Sequence, residues 1–467
     1  MTTAKLDLQA INTIRFLSAD AVQKANSGHP GLPMGAAAMA YVLWTRFLKH
    51  NPANPRWPDR DRFVLSAGHG SMLLYSLLHL TGYDLSLDEI MNFRQWGSKT
   101  PGHPESHLTP GVETTTGPLG QGISNSVGLA VAEAHLAARF NRPGHEIIHH
   151  HTYVIASDGD LMEGVASEAC SLAGHLRLGK LIVLYDDNKI SLAGTTSLTF
   201  SEDVALRFGA YGWQVQRVSD GNDLESLEKA LKKAQDVADQ PSIILVRTHI
   251  GYGAPHKQDT FEAHGSPLGP DELKAAKENL GWPAEPPFLI PGEVLEHFRE
   301  ALTHGKSWEG EWDKRLGDHE KAFPELAAEL KRRMMGDLPS GWEADPPTFP
   351  ADPKGLATRK ASETVMQALG AKLPELMGGS ADLNPSTFTV LKGQGDFQST
   401  ESSSHGAQGT SGGPWGFEAA TCTSACANMG WARWSTGWRC TAASSPTARP
   451  SLSFPTICVR LCGSRRL

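Results

Sequence analysis

The stretch TYVIASDGDLMEG, residues 152–164, answered by KLIVLYDDNKIS at 180–191, decides how this chain is read. Each begins as a short β-rich run and ends on acidic or amide side chains. Two more β-rich runs follow, WQVQRV (213–218) and SIILVR (242–247), with helical stretches between most of them. Strand, helix, strand at this spacing predicts right-handed βαβ units and a parallel sheet. Asp158 and Asn188 are one such unit apart. That predicts both at the carboxyl ends of neighbouring strands, where open α/β sheets bind ligands. One carboxylate, one amide oxygen and the backbone carbonyl of Ile190 make a hard-oxygen set suited to Mg²⁺ or Ca²⁺. Magnesium sites of this kind leave positions for phosphate oxygens. The glycines of GPLGQG (117–122) open into a helical string ending near Phe140, and let backbone N–H groups approach such a phosphate. A lone Asp-Gly after a strand is an ordinary turn. The Asp, its glycine and the Asn at this spacing together argue for a ligand site.

Working outward, Ile11, Ile14, Leu17, Ala21 and Val22 repeat at helical spacing, and the glycine of SGHPG (27–31) stops that helix. A second apolar helix is expected from about Met34 to Phe47. Residues from about 265 to 350 are rich in Pro, Glu and Trp, and predict a helical excursion ending in a linker. A second start occurs at ATRKASETVMQALGAKLPELMGGSADL (357–383), a helix followed by a strand-like turn.

The chain has 467 residues, length for two to three domains at about 100–200 residues each. Lys and Arg number 43 against 51 Asp and Glu, a formal net charge of −8, so no broad basic field exists to hold nucleic acid or an anionic membrane. The longest apolar stretch, near GAAAMAYVLW (35–44), is far below the roughly 20 residues of a membrane span. The N-terminus lacks the apolar core of a secretory signal. Of six cysteines only Cys170 precedes residue 422, which argues against a disulfide framework and for a reducing, cytoplasmic setting.

Four histidines lie in glycine- or proline-framed loops: His29 in SGHPG, His69 in SAGHGS, His103 in PGHPE and His264 in EAHGSP. Such loops are where catalytic groups tend to be placed, and imidazole exchanges protons with sugar hydroxyls near neutral pH. The run HHH at 149–151 has no such frame and is expected as a surface run before a strand.

Taken together, SGHPG, DRFVLSAGHGS, TPGHPE, TTGPLGQG, SDGDLMEG, DDNKIS, HIGYGAPHKQDTFEAHGSPLG, ATRKASE and GGSADLNPST, in this order, resemble transketolase over about residues 5 to 415. The resemblance implies a parallel-sheet thiamine diphosphate-binding α/β fold. A diphosphate- and metal-binding domain would span residues 1–320 and a linker 321–354. The start of a pyrimidine-binding domain would span 355–418, with an aberrant tail at 419–467. It implies thiamine diphosphate, a bridging Mg²⁺ (or Ca²⁺, Mn²⁺), and reversible transfer of a two-carbon ketol unit between sugar phosphates of the pentose phosphate pathway. It also implies a homodimer with active sites between subunits. By the same resemblance Asp158, Asn188 and the carbonyl of Ile190 hold the metal. Gly117, Pro118, Leu119 and Gly159 line the cofactor, with His69 and His264 beside the diphosphate. His29, His103 and His264 face the reacting hydroxyls. Arg359 and Ser386 grip substrate phosphate, Asp382 lies near the cofactor, and Glu163 supports the dimer-bridged site. The alternatives are a non-catalytic remnant that binds metal and diphosphate, or a relative such as dihydroxyacetone synthase or deoxyxylulose-phosphate synthase.

Past PWGFE (414–418) the resemblance stops. Transketolases continue with a motif like RNLHFGVREHGM, whose glutamate activates the cofactor. This chain reads AATCTSACANMGWARW, and after Glu418 has six arginines but no lysine or acid. Back-translation of Ala419 to Gly430 with suitably chosen synonymous codons, read two bases later, gives RNLHFGVREHG, and the shifted frame continues through Trp438 as a plausible MGAMVNGMALHGG. The expectation is a reading-frame error beginning near residues 399–418, a poorly packed tail, and a chain inactive as written.

Overall fold

The run TYVIAS forms a strand, Thr152–Ser157, and Leu181–Asp187 forms its parallel neighbour. The structure is a computed structural model and describes residues 3–380 and 382–422. Both strands are buried along their whole length, as expected where apolar, β-branched side chains are covered on both faces of a parallel sheet. The register pairs Thr152 with Leu181 and Ser157 with Asp186. Asp158 and Asn188 therefore leave adjacent strands one residue past their ends.

The sheet has five parallel strands: β1 (Arg62–Leu65), β2 (Thr152–Ser157), β3 (Leu181–Asp187), β4 (Gln214–Val218) and β5 (Ser242–Arg247). Their order is β1-β2-β3-β5-β4. Strand β1 adds a fifth to the four expected. Its four residues, RFVL, are too few to show a period.

Helix α1 (Thr3–Ala25) ends where Asn26 and Gly28 take positive φ, and the turn delivers His29 to the start of α2 (Gly31–Arg46). The alanine-rich α2 is apolar all round and buried from Gly31 to Trp44, which places it inside the core. Helix α3 (Ser71–Thr81) is buried throughout and closes on Gly82 in the left-handed region. Helices α4 (Gln121–Phe140), α5 (Asp158–Met162) and α6 (Gly164–His175) follow. Helix α7 (Leu224–Gln235) is amphipathic: Leu227, Ala230, Leu231 and Ala234 face inward at helical spacing, and Asp223 caps the Ser226 amide at 3.1 Å. Leu227 and Leu231 join the core formed by α1, α2, α3 and the sheet. Each contributes roughly 1.5–3 kcal/mol by burial.

The chain divides into two units, residues 3–127 with 150–312 and, among those described, 128–149 with 313–422. The stretch expected as a helical excursion contains helices at Pro270–Asn279, Gly292–Ala322 and Pro324–Met335. In the second unit, Thr358–Gly370 is a helix, and Met366 packs with Leu373, Leu376 and Leu391.

Two expectations are corrected. The histidine run 149–151 is a surface run only in part: His149 is exposed, but His150 is 1% exposed, with Nδ1 3.4 Å from Asp59 Oδ1, and burial holds its imidazole well below the ordinary range. The cause is register, because His151 already accepts the Arg62 amide at 2.8 Å as the first rung of the β1–β2 ladder. The tail is also packed in its first residues. Ala419, Thr421 and Cys422 are buried, and Cys422 donates to the Gly378 carbonyl at 2.8 Å while Gly378 donates to Ala420 at 3.0 Å. Backbone pairing of this kind is indifferent to side-chain identity. The expectation for 423–467 lies outside the described residues.

Candidate functional site

At the end of β2 the carboxylate of Asp158 is 2% exposed. Tyr185, on β3, donates its hydroxyl to Asp158 Oδ1 at 2.5 Å, while Asp158 Oδ2 is buried with no partner. Burial, with Asp186 and Asp187 nearby, pushes this carboxyl up to about 7 despite the Tyr185 bond. A lone pair left dry and unpaired beside other carboxylates is what a bound cation corrects. At the end of β3, Asn188 Nδ2 donates to Asp186 Oδ2 at 2.8 Å and Asn188 Oδ1 accepts the Ile190 amide at 2.9 Å. This turn, with Lys189 at φ 65, fixes both the amide and the buried Ile190. Asp158 and Asn188, one residue past adjacent strand ends, and Ile190 in the turn after them carry oxygens of hard character, and these residue types fit a divalent metal.

The glycine loop is packed onto these strand ends. Gly117 has φ +147 and Gly120 φ +75, conformations that L side chains rarely adopt. A Cβ at Gly159 would stand 2.9 Å from Leu119 Cδ1, and one at Gly120 would stand 2.7 Å from Glu163 Cβ. Pro118 and Glu163 are exposed at the rim.

The histidine loops meet the same glycine loop. His29, His69 and His264 form a cluster with ring centroids 5.1, 5.8 and 5.0 Å apart for the pairs 29–69, 29–264 and 69–264. A Cβ at Gly68 would lie 2.7 Å from the Gly117 amide, and one at Gly117 would lie 3.2 Å from His103 Cγ. Nδ1 of His29 and of His264 is buried without a partner. Burial, then His264, Arg94 and His103, lowers His29 to about 4. Burial is also the leading cause that lowers His69, His103 and His264. All four are neutral near pH 7, each with one N–H to give and one lone pair to accept. The structure therefore gathers His29, His69, His103, His264, Gly117, Leu119, Asp158, Gly159 and Asn188 at one end of the first unit.

In the second unit Arg359 and Ser386 come together: Arg359 Nη1 donates to the Ser386 carbonyl at 3.4 Å, and its guanidinium lies 5.5 Å from the Phe388 ring. Both are exposed, as is Asp382, which takes φ 54.

Sequence reasoning missed Asp160. It is fully buried, and its carboxylate accepts from Gly120 N at 2.9 Å, Ser157 N at 3.0 Å and Ser66 Oγ at 2.8 Å. One carboxylate thereby ties the glycine loop, the end of β2 and the segment after β1. The signal was present, because Ser157 and Asp160 have the spacing of a capping box directly after a strand. Tyr185 was missed for lack of any such signal.

A parallel sheet with oxygen ligands at its strand ends, a glycine loop beside them and neutral imidazoles facing that loop defines a diphosphate- and metal-binding α/β protein. The family described as "Transketolase, thiamine diphosphate binding domain" matches residues 6–339, and "Transketolase, pyrimidine binding domain" matches 354–414. The chain belongs to the transketolase family. It is 60% identical over 389 residues to a transketolase of Geobacillus stearothermophilus, covering 83% of this chain and 58% of that protein. It is 56% identical over 400 residues to one from Nostoc sp., covering 85% and 60%. The solved structure of a Leishmania mexicana transketolase matches with TM-score 0.88 at 45% identity, over 93% of this chain and 62% of that one. A Pichia stipitis transketolase in complex with sedoheptulose 7-phosphate matches with TM-score 0.88 at 43% identity, over 93% and 63%. The chain thus spans about three fifths of the length of the curated relatives it matches. Among the described residues no helix is long and apolar enough to cross a membrane.

Proposed function

We propose that this chain carries the metal- and diphosphate-binding part of a ketol-transfer site. The reaction moves a two-carbon unit reversibly from a ketose phosphate to an aldose phosphate, as in the pentose phosphate pathway. The observation that supports it most is the buried, unpartnered Asp158 Oδ2 at the end of β2, in the same unit as the clustered histidines.

Asp158, Asn188 and the Ile190 carbonyl would hold the cation, and Gly117, Pro118, Leu119 and Gly159 would line the cofactor, with His69 and His264 beside its diphosphate. Thiamine diphosphate supplies the carbanion chemistry when bound. The protein's own part is to bind, orient and move protons. His29, His103 and His264 would bond the reacting sugar hydroxyls, a reading supported by the unpartnered Nδ1 atoms of His29 and His264. Because these imidazoles are neutral, each can accept a hydroxyl proton in one step and return it in another. Arg359 offers a guanidinium fork for the substrate phosphate, with Ser386 beside it. Asp382 would lie near the cofactor, and Glu163 would support an active site shared between two subunits of a cytoplasmic homodimer.

The test is calorimetric titration of the 467-residue chain with thiamine diphosphate, once with Mg²⁺ and once with chelator. Metal-dependent binding is expected, and binding that ignores the chelator would sink the assignment. Ketol transfer itself is expected only once the frame near codon 410 is restored to encode RNLHFGVREHG. Nucleotide sequence across codons 395–470 in which no shifted frame encodes that glutamate would overturn this point.

A further inference from the structure

We propose that Arg94 is a positioning residue that couples the loop carrying His29 to the loop carrying His103, so that the two imidazoles are held as a pair. The inference rests on the proton-transfer role proposed for those histidines.

Arg94 stands between the two loops and is joined to both. Its Nη1 donates to Ser27 Oγ at 2.8 Å, two residues before His29. Its backbone amide donates to the Thr100 carbonyl at 2.9 Å, and its guanidinium covers Gly102, where an added Cβ would lie 3.0 Å from Nε. His103 follows directly. Arg94 itself takes φ 61, a left-handed conformation that costs a non-glycine residue about 1 kcal/mol or more and persists only where surroundings enforce it. Its Nε is buried with no partner. An arginine serving only as a surface counter-ion would need neither feature.

The PGHPE loop is fixed on its other side by neutral groups. Ser71 Oγ donates to the Gly102 carbonyl at 3.0 Å, and Tyr75 Oη to the carbonyls of Pro101 at 2.9 Å and His103 at 3.1 Å. Arg94 is thus the cation of this junction. His29 faces His69, His264, His103 and Arg94; His103 faces Arg94, Glu105, His29 and His69. The guanidinium disfavours the imidazolium form of both histidines, adding to burial. One side chain therefore sets the spacing of the pair and helps keep both members neutral.

The experiment is nitrogen-detected NMR titration of the histidine imidazoles in the full chain. It compares wild type with Arg94→Gln, Arg94→Lys and Ser27→Ala. In Arg94→Gln the midpoints of His29 and His103 both rise, by roughly half to one pH unit. Arg94→Lys keeps the charge and holds both near wild type. His50, buried elsewhere in the same unit and depressed to about 4, is the internal control and stays put. Unchanged midpoints in Arg94→Gln, movement of only one of the two, or an equal rise in Arg94→Lys overturns the proposal. Should Arg94→Gln lose the His50 signal by unfolding, Ser27→Ala decides. It cuts the same tie from the opposite loop, and a His103 resonance that ignores it overturns the coupling. Thiamine diphosphate binding that ignores the chelator would sink the proposed function and leave these midpoints as measured.

Discussion

Tyr185 grips one oxygen of Asp158 at 2.5 Å and leaves the other buried and unpaired. The half-satisfied carboxylate is destabilising in the empty protein and becomes an asset only when a cation arrives. Asp158→Asn should therefore leave the metal-free chain unchanged or more stable, by about 1–3 kcal/mol, because the stranded charge is gone. The same variant should lose the rise in melting temperature that Mg²⁺ with thiamine diphosphate gives the wild type. Scanning calorimetry with and without metal checks both halves. A metal-dependent rise that survives in Asp158→Asn would remove this residue from the cation site.

Acid sensitivity has a source in His50. Its ring is buried, stacked 5.9 Å from Tyr83, with Nδ1 2.9 Å from the Leu48 carbonyl, and desolvation lowers it to about 4. The unfolded chain binds this proton from about pH 6.5 downward, whereas the folded chain refuses it until about pH 4. The unfolded state thus holds more protons in that window, so this contribution is complete above pH 6.5 and is lost as pH falls toward 4. Between pH 7 and pH 5 it amounts to about 2 kcal/mol. Buried Asp61, raised to about 6, works in the opposite direction over part of the range. In His50→Gln the difference in stability between pH 7 and pH 5 should shrink by that amount. Urea unfolding at the two pH values measures it, and an unchanged difference would refute the assignment.

What the sequence made legible follows the reach of each signal. Strands β2 and β3 were readable because each is a continuous apolar run closed by Asp or Asn, and one βαβ spacing placed Asp158 beside Asn188. The histidine loops were readable from their glycine and proline frames. Strand β1 was not, since RFVL carries no period and gains its place only by pairing with Thr152–Ile155. The burial of His150 was hidden for a related reason. A histidine run looks polar until the ladder that swallows it is known. Tyr185 lies inside an apolar strand and looks like core, and only the pleat that turns its hydroxyl toward β2 makes it a partner of Asp158.

Asp160 should matter to the glycine loop as much as to stability. Its two oxygens take up the amides of Gly120 and Ser157 and the hydroxyl of Ser66, all out of water. Asp160→Ala strands three buried donors, at roughly 1–3 kcal/mol each before relaxation. The expected outcome is a melting temperature several degrees lower. Diphosphate affinity should also fall, because the Gly120 turn is no longer tied to β2. Asp160→Asn should rescue only part, since its amide nitrogen would face donors. Differential scanning fluorimetry with and without ligand reads both effects. Full diphosphate affinity in a folded Asp160→Ala would confine the residue to a purely structural role.

Arg359 is the last side chain whose role can be separated by chemistry. Its guanidinium reaches the Ser386 carbonyl at 3.4 Å, a long bond that leaves other N–H donors for a ligand, and the side chain is exposed. Lys360 lies 3.9 Å from the same Phe388 ring that Arg359 approaches, so the local field stays positive without Arg359. The planar fork is then what Arg359→Lys removes and Arg359→Ala removes with the charge. Charge-assisted bonds to phosphate contribute about 1.5–3 kcal/mol, or roughly ten- to a hundredfold in affinity. Arg359→Ala should weaken binding of a ketose phosphate by that factor and leave the unphosphorylated sugar nearly untouched, with Arg359→Lys between them. Titration of both sugars against the cofactor-loaded chain makes the comparison. An equal loss for both sugars would mean that Arg359 orders the loop around Ser386 and Phe388 and does not read the phosphate.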